Sequence, residues 1–233
     1  MRTILIVYSI ILIATVAIAQ DEFTVLDIIG FVYESDNSPD TTGFEESNPG
    51  DILAGFGFVA NTSDPIEWST EEYCYTWYMS ELVSTGAVNV GGNIDRIVYS
   101  GGTINIIADA YTNPSYSDPI FGTDPPQNQF LDTFTDGQIL LNGTFDSFAL
   151  TYDNILGVGN YQGMITFELG PWFQNQGYEL EDPTGFTIAG VVNIDNDSTV
   201  PHGFDLSTDG HVYYMSTISN NDVSWGSIKN LFR

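Results

Sequence analysis

Oxygen-bearing side chains gather in the C-terminal quarter of the chain, where their spacing suggests a metal site. The set consists of Asn193, Asp195, Asp197, Asp205 and Asp209. Carboxylate and amide oxygens are the ligands that Ca²⁺ prefers, and weak calcium sites fill outside cells. The spacing differs from an EF-hand loop, because Val200 and Leu206 stand where that loop needs Gly and Glu. Calcium is the one cofactor that the sequence suggests, and a solvated loop between Val192 and Phe204 is the alternative interpretation.

Aromatic side chains form the second group with binding potential. The chain has thirteen Tyr and four tryptophans, Trp68, Trp77, Trp172 and Trp225. Their flat faces suit the stacking of sugar rings, and a few polar groups nearby can fix a ligand's orientation. Trp172 is the first ligand-binding candidate because a strand gives way there to a polar loop, and Trp68, after the polar 61–64 turn, is the second. We expect Trp77 in the core, and burial is the alternative for each of the others.

Residues for acid–base or nucleophilic catalysis are poorly specified. A glycosidase needs two carboxylates across a cleft. With 31 acidic residues, a pair such as Glu168 and Glu179 can be chosen to fit any hypothesis, so such a pair is weak evidence. The chain contains two histidines, His202 and His211, and no G-x-S-x-G nucleophile motif. We expect His211 to be an exposed residue beside a turn. The sequence therefore predicts no catalytic residues, and a glycan-active hydrolase is kept as an alternative.

The charge composition argues against several classes of partner. Acidic residues number 31 against 4 Lys and Arg, so the net charge is -27. Charged residues make up only 15% of the chain, below the roughly 25% of average domains, so the protein is acidic because bases are scarce. Nucleic acids and anionic membranes require a basic surface, and neither is expected as a partner. Arg96 is the one Lys or Arg between Arg2 and Lys229, so apolar burial rather than ion pairing must stabilise the fold.

The first 19 residues have the features of an export signal. Arg2 precedes an apolar run at 4–13, and Ala17-Ile18-Ala19 fits the small-x-small cleavage pattern. The run is short for a membrane anchor, so we expect cleavage after Ala19, no membrane insertion afterwards, and a secreted or cell-surface location. Cys74 is the single cysteine, which rules out an intrachain disulfide. We expect one domain at 20–226 and a short tail at 227–233.

Short apolar runs bounded by Gly, Asn, Asp, Ser and Pro fill the rest of the chain, as is typical of β-strands. The runs lie at 23–33, 53–60, 72–82, 96–99, 103–108, 138–141, 144–152, 161–169, 186–192 and 211–217. Polar loops separate some of them, at 34–50, 113–132 and 172–183. This pattern predicts an all-β chain, and more finely a single antiparallel β-sandwich or jelly-roll-like domain of about ten strands. Long loops on such a scaffold are frequent binding sites.

Four dipeptides that contain glycine are expected to form turns. Gly101-Gly102 separates two apolar runs and predicts a two-residue hairpin. Asp136-Gly137 and Asp209-Gly210 suit type I′ turns, because both central residues of that turn have positive φ. Asn142-Gly143 divides two further apolar runs in the same manner.

The middle of the chain resembles a group of secreted bacterial proteins. The resemblance is carried by Tyr99-Ser100-Gly101-Gly102-Thr103, a proline-rich loop, Phe134-Thr135-Asp136-Gly137, the segment 140–145 and Phe148. These residues are similar to uncharacterised β-rich ectodomains that often precede PEP-CTERM sorting signals in exopolysaccharide-producing Gram-negative bacteria. The similarity spans roughly residues 72–170, and the sorting signal itself has no counterpart in 227–233. The resemblance implies a β fold and an extracellular location, and it supplies no catalytic residues.

These observations predict a non-catalytic protein that acts outside the cell or at its surface, of the matrix-associated or binding type. The matrix role follows from the resemblance. The expected partners are extracellular polysaccharides or surface proteins. A carbohydrate-binding module with structural calcium is the alternative, and a glycan-active hydrolase is the second alternative.

Overall fold

A computed structural model describes residues 22–35, 47–62, 68, 72–110, 132–171, 174, 184–193 and 204–215. The expected signal peptide at 1–19 and the C-terminal tail at 227–233 lie outside these ranges. No helix within them has the length and apolar character needed to cross a membrane.

The described residues include nine strands and a short helix. They are β1 (Glu22–Glu34), β2 (Pro49–Thr62), β3 (Tyr73–Gly91), β4 (Ile94–Ser100), β5 (Thr103–Ala110), α1 (Asp132–Thr135), β6 (Gln138–Asp153), β7 (Val158–Leu169), β8 (Phe186–Asn193) and β9 (Leu206–Met215). Every predicted strand overlaps one of these, and the runs at 138–141 and 144–152 merge into β6. All the strand pairs are antiparallel. The prediction of an all-β, antiparallel chain is therefore confirmed.

The strands form one sheet that closes on itself. Neighbours follow the order β2-β1-β9-β8-β7-β6-β4-β3-β5, and the further pairings of β2 with β3 and of β6 with β5 complete the ring. Because β4 and β5 share one position between β3 and β6, the closed barrel has eight strand positions. This differs from the predicted sandwich of two stacked sheets. Alternating burial is the same in both architectures, so the sequence pattern could not distinguish them.

The Gly101-Gly102 segment bends the wall of the barrel and does not reverse the chain. Both β4 and β5 run antiparallel to β3, so the chain keeps its direction through the two glycines. Their φ values are 70° and 91°, and Glu81, which lies opposite on β3, has a φ of 62°. At this point β3 changes its partner from β5 to β4. The predicted hairpin is therefore wrong, and the feature is a bulge that spans two neighbouring positions.

Two other predicted turns lie inside strands. Asp209-Gly210 is in the middle of β9 and Asn142-Gly143 is within β6, while Asp136-Gly137 joins α1 to β6 rather than two strands. A Cβ atom on Gly210 would overlap the Tyr161 hydroxyl, and one on Gly143 would lie 2.8 Å from the Phe167 ring. Glycine is needed at both positions because interior aromatic rings fill the space of its missing side chain.

Inward-facing side chains fill the barrel. Trp77 is 1% exposed, as expected for a core residue, and its indole N–H donates to the Ile29 carbonyl oxygen at 3.0 Å. The Thr208 hydroxyl donates to the Tyr161 hydroxyl at 3.1 Å. An apolar cavity of about 20 Å³ remains, which has room for about one water molecule. The interior therefore cannot accommodate an organic ligand.

Candidate functional site

One outward side of the sheet, formed by β1, β2 and β3, is covered by other parts of the chain; we call it the covered face. Phe134 from α1 and Phe204 before β9 lie on Phe56, with ring centroids 4.8 and 4.9 Å apart. Phe31 also contacts Phe204, at 5.5 Å. The Thr76 hydroxyl donates to the Phe134 carbonyl oxygen at 2.9 Å. These contacts leave the covered face little surface for a ligand.

The outward side of β4, β6, β7, β8 and β9, the open wall, carries two adjoining grooves. The wall groove has a volume of about 420 Å³ and is lined by Arg96, Val98, Ser147, Phe148, Ala149, Thr151, Asn160, Gln162, Gly163 and Met164. The rim groove, of about 490 Å³, is lined by Ile94, Thr151, Tyr152, Asp153, Val158, Gly159, Asn160, Val191, Val192 and Asn193. Thr151 and Asn160 belong to both, so the two grooves form one continuous surface.

Arg96 is the one charged side chain among the described residues that line the wall groove. It is the one Lys or Arg among the described residues, and its side chain is exposed. The only ion pair in the described part of the chain joins His211 to Asp27, so Arg96 has no carboxylate partner there. The other polar side chains of the wall groove are neutral hydroxyls and amides. Such a surface offers one cation and several neutral hydrogen-bonding groups.

Three carboxylates on β4 and β6, two of the strands beside the grooves, accept hydrogen bonds from neutral donors. The two oxygens of Asp95 accept hydrogen bonds from the side-chain amides of Asn89 and Asn154, both at 2.9 Å. Asp146 interrupts the pairing of β6 with β7, and its Oδ2 accepts the Thr166 hydroxyl at 2.8 Å. In the rim groove, Oδ1 of Asp153 accepts two backbone N–H groups of the β6–β7 turn. Each of these carboxylates therefore accepts hydrogen bonds from neutral groups.

His211 and Asp27 form a partly exposed pair at the border of the open wall. Nδ1 of His211 lies 2.5 Å from Oδ1 of Asp27, and the imidazole ring lies 5.7 Å from the ring of Tyr213. His211 is in the middle of β9, so the prediction of a turn-edge histidine is wrong. The pairing joins residues 184 positions apart, and no local sequence signal identifies such a partner.

A buried polar cluster lies at the rim, and we call it the rim cluster. The Glu34 carboxylate, 2% exposed, accepts the Tyr99 hydroxyl at 2.5 Å and the Ser47 hydroxyl at 3.0 Å. The Ser47 and Ser84 hydroxyls are 2.7 Å apart. Burial, followed by the neighbouring Glu34 carboxylate, raises the pKa of Tyr99 far above its ordinary value. The rim cluster thus connects β1, β3 and β4 and stays closed to ligands.

The structure separates several of the predicted calcium ligands. Asn193 ends β8 and lines the rim groove. Asp205 is buried, and its Oδ2 accepts a backbone N–H of the rim cluster at 2.7 Å. Asp209 is exposed four residues further along the strand, about 13 Å from Asp205 at 3.3 Å per residue. Asp195 and Asp197 lie outside the described residues. Within those residues, no three His, Cys, Asp or Glu side chains are grouped to hold a metal ion, so the calcium site stays a prediction.

Trp68, the second aromatic candidate, is not among the described residues that line either groove. Trp68 is partly buried and packs against the core, with its ring 4.8 Å from Tyr75. It lies at the end of the barrel opposite the rim groove. Trp172 lies outside the described residues, so its role as a ligand contact stays a prediction.

Sequence reasoning missed the residues of the wall groove. Strand alternation places Arg96, Asn160 and Gln162 on the outer surface, and this signal was present in the chain. It could not show which outward surface would stay uncovered, because the covering rings of Phe134 and Phe204 are distant in sequence from β1–β3. Comparison with protein-family models, with curated proteins and with solved structures finds no match to this chain.

Proposed function

We propose that this protein is a non-catalytic binding protein, secreted or held at the cell surface, that takes its ligand on the open wall. One observation carries the proposal: the barrel interior has room for about one water molecule, whereas the grooves outside measure about 420 and 490 Å³. Small-molecule sites usually have volumes of about 300–1,000 Å³. The export signal expected at residues 1–19 supports a location outside the cell.

The chemistry of the grooves favours an extracellular polysaccharide as the ligand. The side chains of Thr151, Asn160 and Gln162 donate and accept hydrogen bonds without carrying charge, which matches the hydroxyl groups of a sugar. Exposed Val98 and Met164 offer apolar contacts for the C–H faces of the rings. The resemblance to ectodomains of exopolysaccharide-producing bacteria supports the same class of ligand and a matrix-associated role.

The test is a binding measurement with the mature chain, residues 20–233, and a panel of neutral and uronate-containing polysaccharides. Asn160→Trp fills the junction of the two grooves, and we expect it to abolish binding to the polysaccharide that the unmodified chain retains. Asn142→Trp is the matched control, because Asn142 is an exposed amide on the neighbouring strand β6 outside both grooves. Equal binding by the two variants, or no binding to any polysaccharide, would contradict the proposal.

A carbohydrate-binding module with structural calcium is the more specific alternative. Asn193 favours it, since this predicted calcium ligand lines the rim groove and directly precedes the segment with Asp195 and Asp197. If calcium orders this edge of the site, a chelator should weaken polysaccharide binding and lower the melting temperature, and added Ca²⁺ should restore both. If the chelator changes neither polysaccharide binding nor the melting temperature, calcium is no part of the site.

One observation favours the hydrolase alternative. Burial, with the nearby Asp136 carboxylate second, raises the pKa of Asp109, and a carboxyl with a raised pKa suits a general acid. Our proposal expects no release of reducing sugar from any polysaccharide that the protein binds. Turnover that Asp109→Asn removes while binding persists would establish the hydrolase instead.

A further inference from the structure

The guanidinium of the wall groove has no carboxylate partner among the described residues, although the protein is rich in acidic side chains. The protein has 31 acidic residues, yet none of the described residues that line the wall groove is Asp or Glu. Asp95 and Asp146, on the strands that form the groove, accept neutral donors instead. Arg96 therefore keeps its charge and its five N–H donors available for a group from outside the protein.

The chemistry of Arg96 specifies the kind of group. A guanidinium is planar, and its fork of donors matches a carboxylate with two parallel hydrogen bonds. A single cation neutralises a single negative charge. A phosphate monoester carries more negative charge, and the excess would meet the field of a protein with a net charge of -27. A carboxylate within an otherwise neutral ligand fits these conditions best.

The rest of the groove favours a sugar over a peptide as the carrier of this carboxylate. Peptides commonly bind to sheets by adding a strand to a free edge. The strands β4, β6 and β7 each have a hydrogen-bonded neighbour on both sides in the closed sheet, so the groove presents no such edge. It presents side-chain amides and hydroxyls instead, from Asn160, Gln162, Thr151 and Ser147.

We propose that the wall groove is a binding site for uronic acid residues, in which Arg96 pairs with the sugar carboxylate and the neutral side chains contact its hydroxyls. The inference rests on the proposed function, because it names the ligand class of the same open wall. It also predicts that salt weakens the binding, since an exposed ion pair is screened.

The experiment compares two forms of an oligogalacturonide: the acid form keeps one free carboxylate among methyl-esterified residues, and the ester form is fully methyl-esterified. We expect the mature chain to bind the acid form about two- to fivefold more tightly than the ester, because a charged hydrogen bond is stronger than a neutral one but an exposed ion pair is screened by water. Arg96→Gln should remove this preference, because the uncharged Gln cannot pair with the carboxylate and the acid and ester forms should then bind alike. Arg96→Lys should recover only part of it, since Lys lacks the planar fork.

A second variant separates local pairing from the overall field of the protein. Arg96→Gln combined with Asn142→Arg restores the net charge but places the cation outside both grooves. We expect this double variant to bind the acid form as weakly as Arg96→Gln alone. Full recovery would show that long-range attraction and not a contact with Arg96 governs binding, and it would overturn the inference.

The remaining outcomes are also decisive. Equal binding of acid and ester, with loss of both in Asn160→Trp, would overturn the uronate inference and retain the proposed function. Tighter binding of a singly sulfated oligosaccharide or of a peptide with one Glu than of the acid form would overturn the assignment to uronic acids. Absence of binding to every saccharide would overturn the proposed polysaccharide ligand together with the inference.

Discussion

The covered face and the open wall are two outward sides of the same closed sheet, yet they have opposite character. On the covered face, Phe56 points outward and is still only 1% exposed, because Phe134 and Phe204 pack on it. On the open wall, Met164 also points outward and is 52% exposed. The backbone geometry of the strands is alike on both sides. What differs is whether side chains from another part of the described chain pack on the outer side of the strands.

Under the proposed function, this difference assigns stability to one face and binding to the other. Aromatic side chains point outward where loop residues return, and they form a second core of Phe56, Phe134 and Phe204 outside the barrel. Neutral polar side chains, exposed aliphatic side chains and Arg96 point outward where nothing in the described chain covers the strands, and they line the grooves. A ligand on the open wall therefore displaces water and leaves the protein packing unchanged.

The largest expected effect is a contrast in stability between the two faces. Phe56→Ala should lower the free energy of unfolding by about 3–5 kcal/mol, because it leaves a cavity between two rings. Met164→Ala on the open wall should change it by at most about 0.5 kcal/mol, as is usual for exposed sites. Urea unfolding of the two variants measures both values. Equal losses would contradict the distinction between a covered and an open side.

Alkaline pH tests the interior that both faces share. Burial raises the pKa of Tyr161 to about 12, above about 10 in an unfolded chain. The stabilisation of the fold that follows from this raised pKa is fully present below pH 10. It is lost as the pH rises towards 12, because only the unfolded chain readily releases the proton. The free energy of unfolding falls by about 2–3 kcal/mol over this range. Tyr161→Phe should make unfolding free energy less dependent on pH between 9 and 12.

Tyr213→Phe provides the control for this measurement. Tyr213 is a partly exposed residue on the open wall, so its replacement should alter the pH dependence less than Tyr161→Phe. The same alkaline slope in Tyr161→Phe and the unmodified protein would show that the buried hydroxyl does not govern alkaline unfolding.

The rim cluster tests whether the two faces are joined through the interior. Glu34 belongs to β1 of the covered face and Tyr99 to β4 of the open wall, and their hydrogen bond crosses the rim. Tyr99→Phe should cost about 1.5–3 kcal/mol, the usual value of a hydrogen bond to a charged group. A double-mutant cycle with Glu34→Gln isolates the interaction. Additive losses in the cycle would mean that the two residues act independently.

The smallest expected effect is at the border between the open wall and β1. The His211–Asp27 pair is partly exposed, so its coupling energy should be about 0.2–1 kcal/mol. A cycle of His211→Gln and Asp27→Asn, followed by urea unfolding at low and high salt, measures it. Salt should reduce the coupling, and a coupling above about 2 kcal/mol would place this pair among the main determinants of stability.

The strands were predictable because each is encoded by a local alternation of side chains. Trp77 was correctly placed in the core by the apolar character of its strand. The turns were predicted less well, since glycine has two uses. In Asp209-Gly210 it makes room for the Tyr161 ring, and in Gly101-Gly102 it supplies positive φ to a bulge. A dipeptide alone does not reveal which of these uses applies.

The candidate site was less predictable than the strands for a similar reason. Arg96 was recognisable in the sequence as an isolated cation, but its function depends on which side chains surround it. Those neighbours come from β6 and β7, more than fifty residues further along the chain. The predicted calcium ligands are close in sequence but not in space, because the extended strand β9 begins directly after Asp205 and keeps it apart from Asp209.

Local patterns in the chain are sufficient to establish its strands, its apolar core and its acidity, because each of these depends on residue type and short-range spacing. Long-range contacts determine the closure of the sheet, the cover over β1–β3 and the exposure of Arg96 beside neutral side chains. The physical reason lies in the period of the β-strand. Alternation gives every strand an inner and an outer side, but only packing between distant segments decides which outer side remains open to a ligand.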